Sequence, residues 1–178
     1  MSNSDTSVGA GWNRYFVKSS GTLQCDLSVY RDESLTDLVF TVVGDKRGAE
    51  ISSADGAVVM TAVVKKAMFG KVEYAKTDDT VAASMKKNSI LNKKHMEVTL
   101  ADGAEWTVVK SGGLKQVCSV LENGVPIVRA DLKTLPLKHR YPVDIAEDVD
   151  VPLAVGLVWA INFAHLQRVA GAGAAAAT

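Results

Sequence analysis

The chain has 178 residues and a mass of 18.9 kDa, with 20 basic and 20 acidic residues and a formal net charge of zero. That length suits one domain with a sizeable core, and a composition of 47% hydrophobic and 22% charged residues excludes wholesale disorder. Balanced charge also removes the simplest electrostatic case for a dedicated nucleic-acid binder, leaving only a local patch open.

The chain opens with MSNSDTSVGAGWN, which has neither a basic n-region nor an apolar h-region. Residues 1–10 are expected to be a flexible N-terminus and the protein to be cytoplasmic. A single domain is expected over 11–168, beginning with Trp12, Tyr15 and Phe16. Only Cys25 and Cys118 carry thiols, without metal-ligand spacing, so buried thiols are expected in place of a disulfide framework.

From about Leu38 to Ala146 short strands alternate with turn signals. Asp55-Gly56 and Asp102-Gly103 each stand between alanines, and Asn123-Gly124 supplies a third such dipeptide. These dipeptides suit two-residue type I′ hairpins, which need φ > 0 at both central positions. Around the second turn Met96, Val98 and Leu100 alternate with polar residues, as do Trp106 and Val108. Val72/Tyr74, Val81/Ala83/Met85 and Tyr141/Val143/Ile145 repeat the period of two, so each strand should have one dry and one wet face. Val39–Val43 and Val58–Val64 are almost continuously apolar, which predicts strands covered on both faces.

One segment reads as a helix, over about 152–167. Pro152 is tolerated in its first turn, and Asp148 and Asp150 are placed well for the dipole. Leu153, Val155, Leu157, Val158, Ile161 and Phe163 cover every side, with Trp159 adding a large ring. Such a helix must be surrounded by protein or by lipid. Its apolar run of fourteen residues, Val151 to Ala164, reaches about 21 Å, short of a bilayer core. Residues 169–178 are low-complexity and are expected to be disordered or weakly helical.

Half-buried antiparallel strands and an all-round apolar helix are both satisfied if the sheet wraps the helix. The expected fold is therefore mainly β: a closed antiparallel barrel around a buried hydrophobic C-terminal helix. A sandwich with the helix on one face is the alternative, but it leaves part of the helix exposed.

The order of features resembles the tubby C-terminal-like superfamily, especially its LURP-one-related and bacterial members, with the phospholipid scramblases as cousins. Three stretches carry the resemblance: Ala49 to Val64 around Asp55-Gly56, the strand Tyr141-Pro142-Val143-Asp144-Ile145, and the closing segment Asp150 to Asn162. It implies a twelve-stranded barrel threaded by a C-terminal helix, so ten to twelve strands are expected. Tubby proteins bind phosphoinositide head groups through a basic pocket. No head-group motif aligns here residue by residue, so no site is carried over.

Catalytic and metal signatures are missing from the sequence. There is no GxGxxG, P-loop, GxSxG or HExxH. His95, His139 and His165 have no metal spacing, Ser111-Gly112-Gly113 reads as a strand connection, and Asp144, Glu147, Asp148 and Asp150 lack the ligand spacing of an EF-hand. Neither enzyme activity nor a cofactor is expected.

The uneven feature is electrostatic. Between Lys65 and His95 lie eight lysines against Glu73, Asp78 and Asp79. Lys65, Lys66, Lys86, Lys87, Lys93 and Lys94 are the candidate anion-binding residues, with Ile90-Leu91 as an apolar tip between them. Basic loops with an apolar tip suit an anionic lipid surface, whereas lysines on the wet face of strands also protect against aggregation. The stretch has no arginine and only Phe69 and Tyr74 as aromatics, which disfavours nucleic acid. The expected function is a non-enzymatic domain that binds anionic phospholipid or phosphoinositide as a peripheral membrane protein. A cytoplasmic scaffold or protein-interaction domain without lipid affinity is the alternative, with another protein as partner.

Overall fold

A computed structural model describes residues 11–19, 26–65, 71–87, 95–111, 115–133 and 140–175. Twelve strands precede one helix. In chain order they are β1 (Trp12–Ser19), β2 (Leu27–Tyr30), β3 (Leu38–Asp45), β4 (Gly48–Ser53), β5 (Val58–Val64) and β6 (Lys71–Lys76), then β7 (Val81–Lys87), β8 (His95–Leu100), β9 (Glu105–Ser111), β10 (Lys115–Glu122), β11 (Val125–Lys133) and β12 (Arg140–Ala146), followed by α1 (Val151–Ala175). Each strand pairs antiparallel with its sequence neighbours, and β1 pairs with β12, so the sheet closes as a barrel.

The helix fills the barrel. Every residue from Leu153 to Ile161 is buried, about 13 Å of helix. Twelve strands at ordinary spacing and tilt give a wall radius of about 12 Å. That is wider than a bare helix requires, so the gap is closed by large side chains: Trp159, Tyr74, Met60 and Ile51 are among the most fully buried. The space bounded by Tyr15, Val29, Val143, Ile145, Val155 and Val158 has no room for a water.

Alternation is realised as the period of two requires. Val72, Tyr74, Ala83, Met85, Val98, Trp106, Val108, Tyr141, Val143 and Ile145 all point into the core, whereas Val81, expected on the same face, is 50% exposed as the first residue of β7. Double-sided cover of the two apolar strands is not observed: Val43, Val58 and Val63 are 64%, 38% and 40% exposed. The single helix lies inside the closed sheet, and among the described residues no element covers the outer faces of β3 and β5.

The Asp-Gly hairpins also depart from the type I′ expectation. Gly56 and Gly103 have φ of 87° and 88°, while Asp55 and Asp102 stay at negative φ. Gly56 N–H donates to Ser53 O at 2.9 Å and Ser53 N–H to Ala57 O at 2.9 Å, a pattern that Leu100 to Ala104 repeats. This is the three-residue loop, a turn followed by one left-handed residue. The aspartates select it, because Asp55 Oδ1 accepts from Ala57 N–H at 3.2 Å and Asp102 Oδ1 from Ala104 N–H at 2.9 Å. The β6–β7 turn has the same form, with Asp79 at φ 61° and Asp78 accepting from Thr80 N–H. Asn123 and Gly124, at φ 49° and 81°, do have both central residues left-handed.

Helix α1 begins where expected, with Asp150 as its cap: Oδ1 accepts from Leu153 N–H at 2.9 Å. It runs on to Ala175, past the expected end near 167. Alanine is the strongest helix former, and isolated glycines such as Gly171 and Gly173 cost about 1 kcal/mol each without breaking a helix.

Candidate functional site

A barrel whose strands follow in chain order sends alternate connectors to opposite ends. The β2–β3, β4–β5, β6–β7, β8–β9 and β10–β11 connectors and the entry to α1 share one end. These stretches (31–37, 54–57, 77–80, 101–104, 123–124 and 147–150) hold ten carboxylates and one cation, Arg31. At the opposite end, Lys18, Lys46, Arg47, Lys65, Lys71, Lys86 and Arg140 are all exposed at or beside described strand termini, against the exposed carboxylates Asp45 and Glu50. The neutral chain thus folds into a barrel with an acidic end, where α1 enters, and a basic end toward which it runs.

Strand register makes the basic end denser than the sequence shows. Lys18 faces Arg140 across β1 and β12, and Lys71 faces Lys86 across β6 and β7. Directly opposed like charges are destabilising. No two acidic residues face each other in the described register. Carboxylates offset part of this charge. Glu73 takes Lys71 at 2.8 Å and Lys65 at 3.2 Å, and Glu97 takes Lys86 at 3.6 Å. The hydrogen bond from Lys71, then that from Lys65, holds Glu73 below the usual carboxylate range. The lysine ammoniums stay solvated, so each exposed pair is weak.

Of the six sequence-selected lysines, Lys65 and Lys86 are exposed at the basic end, and Lys87 is the last residue of β7 there. Lys66, Lys93 and Lys94 lie outside the described residues. Lys18, Lys46, Arg47 and Arg140 were missed because they are scattered along the chain and only β1–β12 closure and the β3–β4 turn bring them to this end. Counting charges by alternate connectors would have found Lys46 and Arg47, whereas Lys18 and Arg140 lie within β1 and β12.

Two cavities flank the ends. One of about 600 Å³ lies beside the β3–β4 turn, with Val43, Val63 and Arg47 on its wall. Asp26, Asp45 and Glu50 also line it, and three carboxylates against one guanidinium give it the wrong sign for a phosphate head group. The other, of about 300 Å³, lies at the acidic end between Leu100, Val81, Met60 and Leu153, with Asp102, Asp150 and Lys76 at its rim.

Remaining titratable groups have structural surroundings. Burial pushes the Cys118 thiol up to about 11 and raises the Tyr141 phenol, so both are neutral in the core. Cys25 and His139 lie outside the described residues. Asp144 holds Arg14 in a two-pronged pair at 2.7 and 3.0 Å. Among the described residues no His, Cys, Asp or Glu group could hold a metal ion, and no helix is long and apolar enough to cross a membrane.

Comparison with known proteins agrees with this architecture. A family model described as LURP-one-related matches residues 14–162. No match was found among curated proteins or among solved structures.

Proposed function

We propose, for a chain that belongs to the LURP-one-related family of the tubby-like C-terminal superfamily, that the barrel is a non-enzymatic module that docks its basic end on anionic phospholipid at a membrane surface. The observation that carries this reading is the pair of opposed like-charge contacts at one end of the sheet, Lys18 with Arg140 and Lys71 with Lys86. Their mutual repulsion disfavours the isolated barrel and is relieved by a surface of opposite sign. Each basic residue near such a surface contributes about 1 kcal/mol, so five supply about 5 kcal/mol and sub-millimolar affinity.

The sign of the neighbouring cavity bears on which lipid is read. Its three carboxylates disfavour a pocketed phosphoinositide and favour recognition of surface charge density. A protein-interaction module is the second reading, supported by the exposed Val43 and Val63 on the wall of that same cavity. Co-sedimentation with neutral, phosphatidylserine and phosphoinositide vesicles, at low and physiological salt, separates the two. Charge-dependent docking gives binding to both anionic vesicles at equal surface charge, weakening with salt. Absence of binding to either anionic vesicle at low salt would overturn it and leave the protein-partner reading.

A further inference from the structure

At the end where α1 enters, all six connectors are described, and nine of their ten carboxylates are exposed. Local structure accounts for some of them. Asp55, Asp78 and Asp102 brace their turns, and Asp150 caps α1. Asp79 is a different case. It holds the left-handed position, at φ 61°, that Gly56 and Gly103 hold in the two sister turns. Glycine takes that conformation without steric cost and aspartate does not, so the turn by itself favours glycine at 79. Glu147 and Asp148 likewise add charge beyond the Asp150 cap. Together these three outweigh the positive end of the helix dipole, about half an elementary charge.

Next to Asp79 the barrel mouth opens into the groove of about 300 Å³. It lies between β5–β8 and the first turn of α1, across the mouth from the seam of β1 and β12. Its floor is apolar, made by Met60, Leu100 and Leu153, and Val81 stands half exposed at its lip. Asp102 and Asp150 form the rim, and Lys76 is the one cation on the lining among the described residues. Val58 and Val125, each the exposed first residue of its strand at this end, carry apolar contact beyond the groove. The carboxylates ring a mouth about 24 Å across. A small cation would cover only a fraction of that ring, and an anionic surface is repelled by it.

We infer that the acidic end is a docking surface for a basic segment of another protein, with one apolar side chain of that segment in the groove and lysines or arginines on either side of it against the carboxylates. The apolar anchor fixes the register of the segment, and the opposed charges steer and select it. The cations of the barrel lie at the other end, so this contact does not compete with binding there.

Titration of the isotope-labelled full chain with a peptide carrying two lysines on each side of a leucine, followed by amide chemical shifts, tests this. Saturable binding is expected, with shifts centred on residues 77–82, 101–104 and 150–153, weakening as salt is raised. Serine in place of the peptide's leucine should weaken binding about tenfold, the loss of one buried apolar side chain. Glutamates in place of its lysines should abolish binding. Asp79→Gly should weaken binding about 1.5- to 5-fold, the range of one exposed ion pair, while the thermal melt stays the same or rises. Val81→Thr should weaken the leucine peptide and leave the serine peptide unchanged. No shifts at this end at millimolar peptide, or equal affinity of the leucine and serine peptides, would overturn the inference. So would n-butylammonium binding as tightly as the peptide, which would assign the groove to a small cation. A lowered melt for Asp79→Gly with unchanged affinity would return that aspartate to the turn and count equally against it. Vesicle binding reads the opposite end, so the lipid reading stands or falls separately.

Discussion

Gly44 is buried in β3 against the indole of Trp159, and a Cβ there would sit 2.6 Å from the ring nitrogen and 2.8 Å from ring carbons. The ring cannot retreat, because Trp159 is fully buried and stacks on Phe163 at 5.4 Å. Gly44→Ala should therefore cost about 1–3 kcal/mol as an overpacked core site, measured by urea denaturation. In a Trp159→Phe background the same substitution should cost less, since the smaller ring frees the space. An equal cost in both backgrounds would place the strain elsewhere. Asp32 is a different kind of residue, a carboxylate that organises its loop: it accepts from Asp37 N–H at 2.7 Å and from Thr36 Oγ1 at 2.8 Å, and also from Ser34 Oγ. The Ser34 hydrogen bond, followed by that from the Asp37 backbone, holds its pKa far below the ordinary 3.8. A depressed folded value means its stabilisation is present above the unfolded pKa and is lost as the pH falls toward the folded one. Asp32→Ala should thus lower the melting temperature at pH 7, and the gap from the native protein should begin to shrink below about pH 4. A gap independent of pH between 7 and 3 would contradict this.

At the scale of elements, the barrel and its plug were legible because each announces itself locally. Alternation around Asp102 fixed the dry faces of β8 and β9, and the absence of a polar face on Leu153–Ile161 required that something surround it. Part of what was not legible depends on partners distant in sequence, and part on local side-chain bonds. Val43 and Val63 looked doubly covered, yet a single helix can cover only the inner face of a closed sheet. The Asp55 and Asp102 turns took a three-residue form because their side chains bond two residues onward, which the dipeptide Asp-Gly alone does not specify. If α1 is the core, Leu157→Ala should cost about 2–5 kcal/mol. A chain ending at 163 should keep a cooperative melt, and one ending at 150 should lose it. A cooperative melt in the latter would mean that the sheet stands without its plug. Register also gives an element-scale test of the opposed cations. Lys18→Glu turns a like-charge pair with Arg140 into an attractive one, and should raise stability by about 0.2–1 kcal/mol while weakening binding to anionic vesicles. A loss of stability would mean that the pair does not repel.

For the whole molecule, net charge conceals the feature that matters. Twenty bases and twenty acids cancel in composition, yet in-order strand pairing sends most connector acids to one end and collects exposed cations at the other. The lysine-rich stretch from Lys65 to Lys94 was visible along the chain as a local excess. Its extension to Lys18, Lys46, Arg47 and Arg140 was not, because barrel closure is a property of the pairing of β1 with β12. The measurement that tests the central claim most directly compares vesicle affinity between variants altered at one end only. Removing Lys18, Lys46 and Lys86 together should weaken binding to phosphatidylserine vesicles by about 3 kcal/mol, roughly two orders of magnitude. Neutralising Glu33, Glu147 and Asp148 should leave affinity equal or higher. Equal losses in the two variants, or an unchanged affinity when the lysines are removed, would contradict a basic end that faces the membrane.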